Sequence, residues 1–132
     1  PEEEASRLGL REFVVFTGHV TDAELESLYR KASVFAFPSL YEGFGLPPLE
    51  AMVRGTPVVA SNKSCIPEVL GDAAILVDPT NPEAMAKAIA RVLSDKRLAE
   101  TLARRGRTHA ADYSLKRQGE KTLRLYEELA AR

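Results

Sequence analysis

The chain has 132 residues, 45% of them hydrophobic and 28% charged, enough to bury one core and too few for two. Eighteen Lys and Arg against nineteen Asp and Glu leave a net charge of -1, which excludes a global field pulling the protein onto nucleic acid or an anionic membrane. The single cysteine, Cys65, excludes an internal disulfide and a cysteine-based zinc cluster and fits a reducing, cytoplasmic setting, and no apolar run approaches the ~20 residues of a membrane span.

In chain order, Phe13 to Phe16 (F-V-V-F) is a continuous run of strand formers before Thr17 and Gly18, the pattern of a strand buried on both faces. Thr21 opens a helix: its hydroxyl can cap the first turn while Glu24 answers, and Leu25, Leu28 and Tyr29 recur at helical spacing to Ala32. Val34 to Phe37 reads as the next strand, ended by Pro38. After the loop Ser39 to Leu46, a short helix starts near Pro47 or Pro48 and stops at Gly55. Pro57 to Ala60 and Ala74 to Val77 are two more apolar strands, with a turn or short helix around Pro67 to Leu70 between them. Strands then cease. Asn81 caps a helix with Pro82 at its first position, running to about Leu93. Ser94 or Asp95 starts a second to about Ala111, and Ser114 a third to the chain end. Alternating apolar strands and helices predict an α/β domain with a doubly wound parallel sheet. Leu98, Leu102, Leu123, Tyr126 and Leu129 make an apolar face on the last helices, read as ordinary packing under a solvated surface.

The segment that carries chemistry is Tyr41 to Glu50, Y-E-G-F-G-L-P-P-L-E, at the carboxyl end of a strand and before a helix, where open parallel sheets bind ligands. Gly43 and Gly45 let backbone approach a ligand, and a helix N-terminus favours an anion. Glu42 in the loop and Glu50 in the expected first turn offer carboxylates to paired hydroxyls, so phosphate plus polyol is one reading. The residues alone leave a second reading open, in which Glu50 complements the helix dipole, Glu42 is solvated and the glycines only shape a turn. There is no G-x-G-x-x-G, G-x-x-x-x-G-K-[ST], G-x-S-x-G or H-E-x-x-H, and no metal site is spelled out.

Three runs carry a resemblance: F-V-V-F-T-G-H-V, then A-S-V-F-A-F-P-S-L-Y-E-G-F-G-L-P-P-L-E-A-M-V-R-G-T-P-V-V-A-S, then I-P-E-V-L-G-D-A-A-I-L-V-D-P. Together they resemble the C-terminal domain of group 1 (family 4) glycosyltransferases. The most specific part is the pair Glu42 and Glu50, with seven residues between them, within P-S-x-x-E-G-F-G-L-P-x-L-E-A-M. The resemblance implies a Rossmann-like doubly wound sheet, the C-terminal half of a GT-B fold lacking its first strand. Residues 1 to 132 are then a single, N-terminally truncated donor-binding domain, with Pro1 to Leu10 the tail of a preceding helix. In the family's sheet order the lacking strand lies between Phe13 to Phe16 and Pro57 to Ala60.

Position by position, the resemblance implies that Glu42 is the catalytic carboxylate and contacts the donor sugar hydroxyls. Glu50 accepts hydrogen bonds from the ribose, Gly43, Phe44, Gly45 and Leu46 complete the donor site, and Gly18, His19 and Val20 flank the nucleobase. His19 itself reads as a surface loop residue. The implied activity is transfer of a glycosyl group from a UDP-, GDP- or ADP-sugar with retention of anomeric configuration, without metal or other cofactor. Electrostatic stabilisation of the departing diphosphate is its main term. The acceptor domain is expected to be absent, and the family's diphosphate-neutralising Arg and Lys precede this chain, since Arg7 and Arg11 do not match their spacing. A non-catalytic nucleotide-sugar-binding or assembly module is the alternative, and a sugar-nucleotide epimerase fits the glutamate pair less well. Expected partners are a nucleotide-sugar, a separate acceptor domain, and a homodimer or complementing chain covering unpaired strands. Neither nucleic acid nor an integral membrane segment is expected, the setting being cytoplasmic or membrane-peripheral.

Overall fold

The computed structural model describes residues 2–131. Ten elements of α and β structure follow one another: α1 (Glu2–Arg7), α2 (Asp22–Lys31), β1 (Phe35–Phe37), α3 (Leu46–Val53), β2 (Val58–Ser61), α4 (Ile66–Leu70), β3 (Ile75–Val77), α5 (Pro82–Ser94), α6 (Lys96–Ala110) and α7 (Leu115–Ala130). The Pro1 end of the expected leading helix lies outside the described residues. The sheet is parallel, in the order β1-β2-β3, with Phe35 opposite Val58, Ala36 opposite Val59, and Val59 opposite Ile75.

Local signals place the helices. Thr21 and Glu24 form the reciprocal capping box expected of them, Thr21 Oγ1 accepting the Glu24 N–H while Glu24 accepts the Thr21 N–H at 2.8 Å. Asn81, Asp95 and Ser114 each accept an N–H of the next helix's first turn. Gly45, in the left-handed region at φ 86°, stands just before α3 with prolines next in its first turn.

β2 organises the core. All four of its residues are fully buried, and alternation sends Val58 and Ala60 to one face and Val59 to the other. The first face packs against Tyr29, Leu49, Met52, Ile66, Val69 and Leu70, from α2, α3 and α4. The second packs against Met85, Ala88 and Val92 of α5 and Leu102 of α6. Burying each of the large aliphatic side chains stabilises the fold by about 1.5–3 kcal/mol. Gly106 lets α6 approach α3: a Cβ there would lie 2.9 Å from Met52 Cγ.

The structure corrects four expectations. Phe13 to Phe16 is not a strand: Phe13 closes a 3-10 turn from Arg11, and the residues after it are extended but unpaired. Val14 and Phe16 are half-buried while Phe13 and Val15 are 81% and 84% exposed, so the chain keeps a strand's period of two without a neighbour to bond. A strand exists only as part of a ladder, and none of the three strands comes alongside. The second correction concerns the sheet order. β2 is paired on both sides, so no gap adjoins Val58–Ser61, and the unpaired edges of the sheet belong to β1 and β3. Third, α3 begins at Leu46, which puts Glu50 one turn inside the helix rather than in its first turn. Fourth, only part of the apolar face expected on the last helices is covered. Leu102 is buried and Leu98 half-buried, whereas Leu123, Tyr126 and Leu129 of α7 are 54% to 68% exposed.

Candidate functional site

The carboxyl ends of the three parallel strands lead into Pro38–Gly45, Asn62–Cys65 and Asp78–Asn81, so these loops share one end of the sheet. This is the end at which open α/β sheets take ligands. The first two are tied together. Ser64 Oγ donates to the Glu42 carbonyl at 2.8 Å and accepts the Glu42 N–H at 3.3 Å, and the Cys65 thiol donates to the same carbonyl at 3.3 Å. Within the first loop, Ser39 Oγ donates to Glu42 Oε1 at 2.9 Å. Glu42, half-buried, thus has its backbone gripped from the β2–α4 loop and its side chain held from its own strand end.

Glu50 is fixed by other means. Being a turn into α3, it reaches back to α2, where the buried Tyr29 donates its hydroxyl to Glu50 Oε2 at 3.1 Å. Arg54 Nη1 donates to the Glu50 carbonyl at 2.9 Å, and its guanidinium lies 5.2 Å from the Tyr29 ring centre. Arg54 also pairs with Glu26 at 2.5 Å, which holds the Glu26 carboxyl below its usual range. Burial and, after it, the bond to Glu50 push the Tyr29 hydroxyl up to about 12, so it stays a donor across the physiological range. The second oxygen of Glu50 has no protein partner among the described residues, and an ionised carboxylate accepts through both.

Between the glutamates, the glycines differ. Gly45 is buried in left-handed conformation, and a Cβ on it would lie 2.5 Å from Ile66 Cδ1, so glycine is required there by backbone and by space. Gly43 is exposed, and a Cβ on it would meet nothing within 4 Å. The amides of Gly43, Phe44, Gly45 and Leu46 have no hydrogen-bond acceptor among the described residues. Pro47 and Pro48 have no N–H, so donors for an anion come from the loop and Leu46 rather than from a whole first turn of α3. Phe44 is 43% exposed and packs edge-on against Tyr113 at 5.9 Å. Tyr113 rests on His109 at 5.4 Å, and His109 Nε2 donates to the Val69 carbonyl at 2.7 Å.

Gly18, His19 and Val20 are surface residues of the segment before α2. Gly18 (φ 59°) and His19 are exposed, and Val20 lines a hollow of about 430 Å³ with Thr17 and residues of α2. No hydrogen bond joins them to the glutamate loop among the described residues. Arg7 pairs with Glu4, and Arg11 lies over the Phe16 ring, so both basic residues near the N-terminus are engaged there. Reasoning from sequence missed Tyr29, Ser39, Ser64, Cys65 and Tyr113 as supports of the site. It also missed Lys63, which pairs with Asp78 at 3.2 Å at the same end of the sheet. Asp78 is held low, at about 2, chiefly by hydrogen bonds from Thr80 and then by Lys63. Among the described residues no three His, Cys, Asp or Glu come together as a metal site, and no helix is long and apolar enough to cross a membrane.

Comparison with known proteins gives the family and the fold. Residues 1–109 match the family described as Glycosyl transferases group 1. The chain is 41% identical over 119 residues to O-antigen chain mannosyltransferase B of Escherichia coli, covering 89% of this chain and 31% of that one. Among solved structures, it superposes on sucrose-phosphate synthase from Thermosynechococcus elongatus with a TM-score of 0.88 and 34% identity, covering 98% of this chain and 33% of that one. It also resembles Alr3699/HepE of Anabaena, solved in complex with UDP, with a TM-score of 0.81, 26% identity and 92% and 35% coverage. The chain therefore spans about a third of the length of these relatives. It belongs to the group 1 glycosyl transferases, and its fold is that of GT-B glycosyltransferase structures.

Proposed function

We propose that this chain is the donor-binding domain of a retaining glycosyltransferase and takes a nucleoside-diphosphate sugar at the carboxyl end of its sheet. One observation carries the reading. Glu42 and Glu50, on either side of a glycine loop with unpartnered amides, are each immobilised by separate polar contacts, with one Glu50 oxygen left for a ligand. Glu50 receives the ribose hydroxyls, the Gly43–Leu46 amides receive phosphate oxygens, and Glu42 meets the sugar. Preorganised groups of this kind stabilise charge without reorganising during reaction. The UDP bound to the Anabaena relative supports the same ligand class for this chain.

The acceptor site belongs in this proposal to a separate domain, so the chain alone does not turn over. The open edge of β1 and the exposed faces of α7 and Phe13–Val15 are then covered by that domain, a complementing chain or a second copy. We place the protein in the cytoplasm and the reaction outside metal dependence: chelator leaves the transfer rate of the complete enzyme unchanged, whereas loss of all activity on chelation contradicts that part. The binding reading is tested by titrating UDP-, GDP- and ADP-sugars into the chain. Saturable binding of one nucleotide class, weakened by Glu50→Ala, is expected. Failure of all three to bind overturns the proposal for this chain.

A further inference from the structure

Ser64 is the only described residue other than glycine with φ in the left-handed region, at 57°. Holding a serine there costs free energy that a glycine at the same position would not incur. Neither side of its loop demands this residue for packing, because Ser64 is exposed. What the conformation does achieve is a two-way grip on Glu42: the Ser64 hydroxyl donates to the Glu42 carbonyl at 2.8 Å and accepts the Glu42 N–H at 3.3 Å. Cys65, the next residue, adds its thiol to the same carbonyl. The contact spans 22 positions of sequence and joins the loop after β2 to the loop after β1.

We propose that Ser64 is the positioning residue for Glu42, and that its strained backbone is retained because it aims the hydroxyl at both polar atoms of that peptide. The inference rests on the reading of Glu42 as the carboxylate that meets the donor sugar. With the backbone of Glu42 fixed by Ser64 and its carboxylate oriented by Ser39, the second carboxylate oxygen is presented in one direction, which suits it to a sugar hydroxyl. Fixing a contact before the ligand arrives removes an ordering cost at binding.

The test compares Ser64→Gly with the unaltered chain. Glycine accepts the left-handed backbone and lacks the hydroxyl, so the melting temperature is expected to stay the same or rise while the grip disappears. Exchange of the Glu42 amide with solvent, read by NMR, is expected to rise about tenfold as its acceptor is lost. The affinity advantage of the nucleotide-sugar over the free nucleoside diphosphate is expected to fall by about threefold or more, the worth of one ordinary hydrogen bond, with nucleotide affinity unchanged. Ser64→Ala, which keeps the strain and loses the hydroxyl, should lose the same advantage and also melt lower. Unchanged exchange at the Glu42 amide overturns the proposal whatever the ligand does. An unchanged sugar advantage in Ser64→Gly, in a background where Glu42→Gln removes it, overturns it too. If Glu42→Gln itself leaves the sugar advantage intact, the reading of Glu42 fails instead, and the amide exchange alone decides whether Ser64 positions it.

Discussion

The two glutamates at the end of the sheet are held in opposite ways. Glu50 stands on a helix and is tied to the hydrophobic core through Tyr29 and Arg54, so its placement is a by-product of how α2 packs on α3. Glu42 stands on a loop and is tied by small polar side chains, Ser39, Ser64 and Cys65, none of them fully buried. A carboxylate anchored in the core is rigid at no extra expense, whereas one on a loop needs its own supports. If the site works as proposed, Glu50 sets where the nucleotide sits and Glu42 sets what happens to the sugar.

The sharpest way to break that contrast is Glu42→Gln in a complete enzyme that includes the acceptor domain. Turnover is expected to fall by about 100-fold, the scale of losing one preorganised polar group at the reacting centre, while nucleotide affinity barely moves. Wild-type turnover would remove Glu42 from the chemistry. Glu50→Ala should do the reverse in a binding titration, weakening the parent nucleotide by about 1–3 kcal/mol through lost charge-assisted bonds to hydroxyls. A variant that binds normally and merely melts lower would make Glu50 structural.

The loop between them can be probed without ligand. Gly45→Ala must hold φ 86° and accommodate Ile66, and is expected to lose about 1–2 kcal/mol of stability in chemical denaturation. Gly43→Ala meets open space and should leave stability unchanged, so any loss of nucleotide binding there reports a close approach of ligand to backbone. An equal stability loss in both would contradict the distinction drawn between them.

Smaller effects sharpen the Glu50 side. Tyr29→Phe keeps the ring and deletes the hydroxyl, and is expected to cost about 0.5–1.5 kcal/mol of stability. The hydroxyl is pushed from its ordinary value of 10 up to about 12 in the folded state, so its contribution is complete below pH 10 and is lost as pH rises towards 12. Tyr29→Phe should flatten that part of the alkaline limb of the stability curve, and an unchanged alkaline limb would speak against the burial and bond assigned to Tyr29. Asp78 works in the other direction. Its folded value near 2 lies below the ordinary 3.8, so its contribution is present above pH 4 and lost as pH falls towards 2. Asp78→Asn should soften acid unfolding only slightly, since the carboxylate and its Lys63 partner are both exposed and screened.

Local signals made the helices legible in the sequence. Thr21 with Glu24, Asn81 with Pro82, Asp95 and Ser114 each act within four residues of one another, so the chain announces where those helices begin. The buried run around Val58 and the glycine loop before α3 were legible for the same reason, and the family likeness rested on them. What stayed hidden depends on distant partners. Phe13 to Phe16 has the composition of a central strand, yet pairing is decided by a neighbour that composition cannot name. Leu102 and Leu129 sit in equally regular apolar stripes, and only tertiary packing buries the first and leaves the second 54% exposed. The bond from Tyr29 to Glu50 crosses 21 residues and that from Ser64 to Glu42 crosses 22, and nothing in a serine's identity signals a left-handed backbone.

The division of labour between the two carboxylates is tested most directly by one set of calorimetric titrations. The nucleoside diphosphate and its sugar form are each titrated into the unaltered chain, Glu42→Gln and Glu50→Ala. Glu50→Ala is expected to weaken both ligands by the same factor, and Glu42→Gln to weaken only the sugar form, bringing it level with the free nucleotide. Both variants binding both ligands as tightly as the unaltered chain would contradict the placement of a nucleotide-sugar at this end of the sheet.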